Sequence, residues 1–296
     1  MITRSVLPIL TVLGIILVVW YAGTVALNWR IEAERFERMG LTKTTMEMVQ
    51  ATMAMDRPIL PAPHQVWNEF QASVFGRDPS SPRSLVFHAW ITLSSSLVGF
   101  AMGTLLGILL AVGIVHSKVL DKSLLPWIIA SQTIPILAIA PMIIIVFSTL
   151  GVQGLIPKAF ISTYLAFFPV AIGMVKGLRS PEAMHLDLMH TYTATRSQTF
   201  WKLRLPASLP FLFASMKIAV AISLVGAIVG ELPTGAQGGI GARLLNSSYY
   251  GQTIQIWAAL FAAAFMSAIL VYAIGWIGTF VNKRMGAQTG VREAAA

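Results

Sequence analysis

Six long apolar stretches set the terms for everything this chain can build: residues 6–27, 88–115, 124–150, 155–175, 209–232 and 254–281. Each is at least as long as the roughly 20 residues a helix needs to cross the hydrocarbon core of a bilayer. Inside lipid every backbone N–H and C=O must find a partner within the protein, which leaves helices as the form for such stretches. The expected fold is an all-α membrane protein with six transmembrane helices. Composition agrees, since 56% of the residues are hydrophobic and 11% are charged, and this excludes a soluble enzyme. The chain contains no cysteine, so disulfides and thiolate metal sites are excluded as well. The first stretch follows Arg4 as a secretion signal would, yet it is long, ends in Trp20 and Tyr21 and lacks a convincing small-residue cleavage site. We read it as a retained anchor over residues 1–27.

Basic residues give the orientation. With the amino terminus inside, Arg4, Lys118, Lys122, Lys176, Arg179, Arg196, Lys202, Arg204, Lys217, Lys283, Arg284 and Arg292 fall on the cytoplasmic side, against Asp121, Glu182, Asp187 and Glu293. On the opposite side most of the Lys and Arg lie in residues 28–87, where acids match them, so the short external loops are nearly free of positive charge. Both termini are then expected in the cytoplasm. The net charge of +9 follows from this bias and calls for no nucleic acid partner.

The longest polar interruption in the second half of the chain lies at residues 180–210. Ser180, Pro181 and Glu182 read as an N-cap, a first-turn proline and an acid at the positive end of a helix. Met184, Leu188 and Tyr192 recur every four residues and give that short helix an apolar face, leaving His185, Asp187 and His190 to its other sides. The Thr195 to Gln198 spacing fits a capping box for a second helix from Arg196 to Leu205, which Pro206 should stop. A helical hairpin results.

This hairpin resembles the cytoplasmic EAA loop of binding-protein-dependent ABC importer permeases. Counting back from Leu205-Pro206 places Leu203 on the loop's hydrophobic position, Thr193 on its glycine and Asp187-Leu188-Met189 on its Glu-Ala-Ala, with no gap. Two departures stand out: Asp replaces Glu, and Thr193 replaces a glycine that would tolerate a left-handed turn. The turn is therefore expected to be built differently here. Leu60-Pro61-Ala62-Pro63 followed by Val66, Trp67 and Phe70 resembles the entry of the sulfonate, taurine, nitrate and pyrimidine-precursor branch of the same family.

The resemblance implies a permease subunit of an ATP-driven importer in a bacterial inner (plasma) membrane. It implies ABC ATPase subunits that hold the ATP and Mg, a second permease copy or a related permease, and a periplasmic or lipid-anchored substrate-binding protein. No cofactor is expected on this chain. Asp187, Leu188, Met189, Thr193, Arg196, Leu205 and Pro206 would couple to the ATPase, with Phe200, Trp201 and Leu205 tying the lever to the bundle. Residues 28–87 become a periplasmic insert with an interfacial helix, 88–282 the permease core with its coupling loop at 180–206, and 283–296 a cytoplasmic tail.

Other residues stand out by chemistry. Pro135 and Pro141 interrupt the third stretch beside Gln132 and Thr133, and the carbonyls that prolines free need partners from water, side chains or substrate. Gln132, Thr133, Pro135 and Ser223 are candidates for a translocation path, and packing hydrogen bonds between helices are the equal alternative for Gln132 and Thr133. Gly99, Gly103, Gly107 and Ala111 form a small-residue stripe, repeated by Gly173 with Gly177 and Gly226 with Gly230. Such stripes serve intrachain packing or a dimer contact. Glu231 ends the fifth stretch before the glycine-rich segment 235–241. It is read either as an interfacial carboxylate, exposed to water or paired with Arg243, or as an outer gate or a contact with the substrate-delivery protein.

Absences narrow the mechanism. No Gly-x-x-x-x-Gly-Lys-Ser/Thr occurs, so ATP hydrolysis is not expected here. The five histidines show no ligand spacing. A secondary transporter, the alternative to an ATP-driven importer, would show inverted repeats and intramembrane charges, and neither is evident in the sequence. The few uncharged polar groups and the lack of a basic path residue lean toward a neutral or aromatic solute such as a pyrimidine.

Overall fold

The computed structural model describes residues 2–41, 44–233 and 238–285, and every regular element among them is helical. In chain order they are α1 (Ile2–Arg38), α2 (Thr45–Met53), α3 (Pro63–Val74), α4 (Leu85–His116), α5 (Lys118–Ser131) and α6 (Ile136–Thr149). Then follow α7 (Leu155–Leu178), α8 (Ala183–Thr191), α9 (Arg196–Thr199), a π-helical turn (Phe200–Arg204), α10 (Leu205–Glu231), α11 (Ile240–Tyr249) and α12 (Thr253–Arg284). Arg4, Arg292 and Glu293, used in the charge count, lie outside the residues whose side chains are described, as do residues 286–296 of the expected tail and 234–237 of the glycine-rich segment.

Among the described residues five helices are long and apolar enough to cross a membrane, and the count is six if the bent pair α5 and α6 forms one span. The bend between these two is 98°, and its cause is local. Pro135 has no N–H and pushes the preceding residue out of helical conformation. The amides of Gln132 and Thr133 tighten onto the carbonyls of Ile129 and Ala130 at 3.2 and 3.0 Å, and Pro135 then caps α6 in an extended conformation. Pro141 sits inside α6 without breaking it.

The chain divides into two compact units, Met1–His88 with Arg243–Ala262 and Ala89–Ala242 with Ala263–Ala296. In the first unit α1 does not end at the expected membrane boundary. It continues to Arg38, so one helix runs from the anchor into the expected periplasmic insert, carrying the exposed Arg30–Glu34 pair at 3.0 Å. The proline entry is stapled to it: Trp20 donates to the Pro61 carbonyl at 3.0 Å, and the buried Asn28 bonds the Leu60 carbonyl at 2.9 Å and the Ile59 amide at 2.8 Å. Trp67, half exposed, stacks on Phe70.

In the second unit glycine decides which helices touch. A Cβ on Gly103 would lie 2.8 Å from the Ala166 Cβ and 3.1 Å from the Phe167 amide, and one on Gly107 2.8 Å from the Phe167 carbonyl. The stripe on α4 is therefore spent on α7 of the same chain. Gly173 and Gly177 admit Ser215 and Ser208 of α10, and Gly226 returns the contact against Ser162. Around this crossing Ala166, Val170, Met174, Leu178, Ala219 and Val220 are fully or almost fully buried. Dispersion and backbone proximity hold such helices together where lipid offers no hydrophobic drive.

Candidate functional site

The hairpin forms, with three differences from expectation. The first concerns its start. α8 begins at Ala183 behind Glu182, which makes no side-chain cap, while the Ser180 hydroxyl donates back to the Gly177 carbonyl at 2.8 Å. Ser180 closes α7 and so is not free to open α8.

The second lies at the turn. Thr193 has φ 51° and is the one non-glycine residue with positive φ among the described residues. The Ala194 amide reaches the Met189 carbonyl at 3.0 Å and the Thr193 amide reaches His190 at 2.9 Å, the paired bonds of a Schellman ending. The glycine-type turn is thus kept although a β-branched residue occupies it, an arrangement that strains the backbone.

The third difference is at Pro206. The capping box predicted for the second helix is present, with Thr195 oxygen accepting from the Gln198 amide at 3.2 Å and Gln198 oxygen accepting from the Thr195 amide at 2.9 Å. Pro206 does not end that helix. It occupies the first turn of α10, and the π turn before it carries the Leu205 amide to the Phe200 carbonyl. An i→i+5 turn admits a proline that an unbroken α-helix would exclude. Residues Arg196–Glu231 therefore run as one helix of 36 residues.

No residue of α8 is buried. Met184, Leu188 and Tyr192 form an uncovered apolar face, 70%, 52% and 75% exposed. Asp187 and Arg196 are exposed, and Met189 is half-buried. Phe200 and Leu205 pack against the core, and Phe200 meets His116 edge-on at 5.2 Å. Trp201 is 63% exposed and reaches the core only through Phe200, whose ring it meets edge-on at 5.3 Å.

At the far end of the same helix Glu231 is fully buried. It is not open to water as an interfacial carboxylate would be, and in the other unit the Arg243 guanidinium approaches Glu69 at 4.0 Å. The Thr92 hydroxyl lies 2.9 Å from both carboxylate oxygens, and the Gly241 amide donates to one of them at 2.8 Å. Thr92 also accepts from the Ile240 amide at 2.8 Å, and the buried Lys158 ammonium donates to the Gly238 carbonyl at 3.3 Å while its charge faces Glu231. Gly239 has φ 119°, and a Cβ there would overlap the carboxylate. Sequence reasoning found Glu231 but missed Thr92, Lys158, Gly239 and Gly241. Lys158, an ionisable residue inside an apolar stretch, carried the available signal.

The residues proposed for a path separate. Gln132, Thr133 and Pro135 share the α5–α6 bend; Thr133 and Pro135 are exposed and Gln132 half-buried. Tyr164 donates to the Ser131 carbonyl beside them. Ser223 is fully buried, its hydroxyl 2.9 Å from that of Ser96, so it joins α10 to α4. Among the described residues no cluster of His, Asp and Glu has the makings of a metal site.

The sequence model of a family described as binding-protein-dependent transport system inner membrane component matches residues 103–287. A probable ABC transporter permease protein of Haemophilus influenzae is 32% identical over 190 residues, covering 64% of this chain and 76% of its own length. The formylaminopyrimidine transport permease protein ThiX of Halalkalibacterium halodurans is 30% identical over 225 residues, 75% of this chain and 82% of its own. Among solved structures, an inward-facing conformation of the MetNI methionine ABC transporter superposes with a TM-score of 0.56 at 21% identity, over 68% of this chain and 95% of that one.

Proposed function

The chain belongs to the inner membrane component family of binding-protein-dependent transport systems, as the permease component of an ABC importer, and we propose that α8 is the lever through which a separate ATPase drives it. ATP and Mg reside on that ATPase. Two permease chains enclose the path, an external binding protein delivers the solute, and both termini lie in the cytoplasm, where the basic residues are concentrated. Residues 28–87 lie on the periplasmic side.

The observation that carries this reading is the combination of an uncovered apolar face at Met184, Leu188 and Tyr192 with a helix that runs unbroken from Arg196 to Glu231. Exposed apolar side chains on a short polar helix fit a groove on a partner, and a continuous helix transmits its displacement into the bundle as a rigid body. Asp187, Leu188, Met189, Thr193 and Arg196 sit in the contact; Leu205 and Pro206 set the angle of the lever. Gln132, Thr133 and Pro135 face the path at the α5–α6 bend. Ser223 backs it by holding α10 to α4, and Glu231 closes its outer end.

The solute is a small organic molecule of the sulfonate, taurine, nitrate or pyrimidine-precursor kind. The likeness to a formylaminopyrimidine permease and the uncharged groups at the bend favour a heteroaromatic pyrimidine. Purification in mild detergent tests the coupling: a Walker-type ATPase co-purifies, and charge reversal at Asp187 or Arg196 releases it. A chain that comes out alone and moves solute without ATP would instead be a secondary transporter. Competition of transport by sulfonate but not by pyrimidine would overturn the choice of solute.

A further inference from the structure

Where α5, α7 and α10 meet, a cavity of about 490 Å³ opens between helices. Its walls are apolar, formed by Leu125 and Ile129 of α5, Ile172 and Val175 of α7 and Phe211 of α10, while Lys176, Arg179 and Ser180 rim one end. The rim is cationic beyond what the chain neutralises. Arg179 pairs with Asp121 at 2.9 Å; among the described residues Lys176 has no carboxylate partner, and its ammonium stands 6.0 Å from the centre of the Phe211 ring. An apolar trough ending in an unneutralised ammonium is the shape and charge of an anionic amphiphile. Soluble anions have no use for the apolar wall, and neutral lipids have none for the lysine.

The geometry points to a site for an anionic phospholipid of the cytoplasmic leaflet, its phosphate on Lys176 and the outer edge of Arg179 and its acyl chain along Ile129 and Phe211. The leaflet rests on the orientation given above. Arg179 and Ser180 form the link from α7 to α8, so the headgroup sits at the root of the lever. A bound lipid braces that root, and the transporter becomes dependent on anionic lipid.

Native mass spectrometry of the intact transporter tests this, using phosphatidylglycerol against phosphatidylcholine. Phosphatidylglycerol is expected to stay bound preferentially, and Lys176→Gln to lower its retention about fivefold, the worth of one cation near a lipid surface. Ile129→Trp, which fills the trough and leaves the cations in place, is expected to lower retention as well. Equal retention of the two lipids, indifference to both substitutions, or displacement by free glycerol phosphate would each overturn the proposal. Orientation is read separately: the chain has no cysteine, so Lys118→Cys gives a unique thiol for an impermeant maleimide. Labelling from outside the cell would overturn the leaflet assignment and leave the retention result standing.

Discussion

Thr92 on α4 and Glu231 at the end of α10 are 139 residues apart in sequence, yet a single hydroxyl lies 2.9 Å from both oxygens of the carboxylate. The same hydroxyl accepts the Ile240 amide, so one threonine ties two helices to the segment that leads into α11. Removing one member of a buried charged set costs about 3–5 kcal/mol, because the other charge stays behind. Glu231→Ala is expected to lower the thermal stability of the purified transporter sharply, and adding Lys158→Met to recover part of the loss. A double variant no more stable than Glu231→Ala would show that Lys158 and Glu231 do not act as a pair.

Gly239→Ala is expected to mimic the loss of Glu231. The backbone there is held at φ 119° and a Cβ would overlap the carboxylate. The cost is at least the roughly 1–3 kcal/mol of a strained residue. Thermal unfolding of this variant beside Glu231→Ala would expose a mistake if it matched wild type.

The glycine stripe on α4 makes a graded prediction. Gly103→Ala places a methyl 2.8 Å from Ala166 and should cost about 1–3 kcal/mol through overpacking; Gly103→Leu should prevent assembly. Gly14→Ala in α1, where nothing lies within 4 Å, should be neutral within the chain. Yield of folded protein after detergent extraction separates the three.

Thr193→Gly should relieve strain. A β-branched residue in the left-handed region carries about 1–2 kcal/mol relative to glycine, equivalent to roughly a 5- to 30-fold change in local opening. Amide exchange of Ala194 should slow by a factor in that range, because its hydrogen bond to Met189 closes the turn. Faster or unchanged exchange would mean that the threonine holds the turn by contacts of its own.

Pro206→Ala tests the π turn. Without the ring nothing excludes the ordinary i→i+4 bond, and α9 can slip by one residue, turning about 100° around the axis of α10. Stability should change little while solute moved per ATP falls. Full coupling in a variant whose turn has become α-helical would remove the π turn from the mechanism.

The spans and the hairpin were legible because their signals are local. Apolar length marks a helix in lipid, and the Thr195–Gln198 capping box is written in four residues. The Schellman turn was misjudged because intrinsic preference argued against Thr193, and the surrounding hydrogen bonds outweighed that preference. Pro206 was read as a stop because an α-helix was assumed on both sides of it. The partners of Glu231 were hidden for another reason. Thr92, Lys158 and Gly241 come from three distant parts of the chain, and a close approach of helices, set by glycines that look alike in sequence, brings them together.

One helix carries both Arg196 and Glu231, and at about 1.5 Å per residue its 36 residues extend roughly 54 Å. If the hairpin is the lever we propose, no relay of side chains has to be found between the two ends, because both belong to one helix. A one-residue insertion between Ser208 and Val229 would re-time the crank by about 100°, leaving each end intact and the two out of phase.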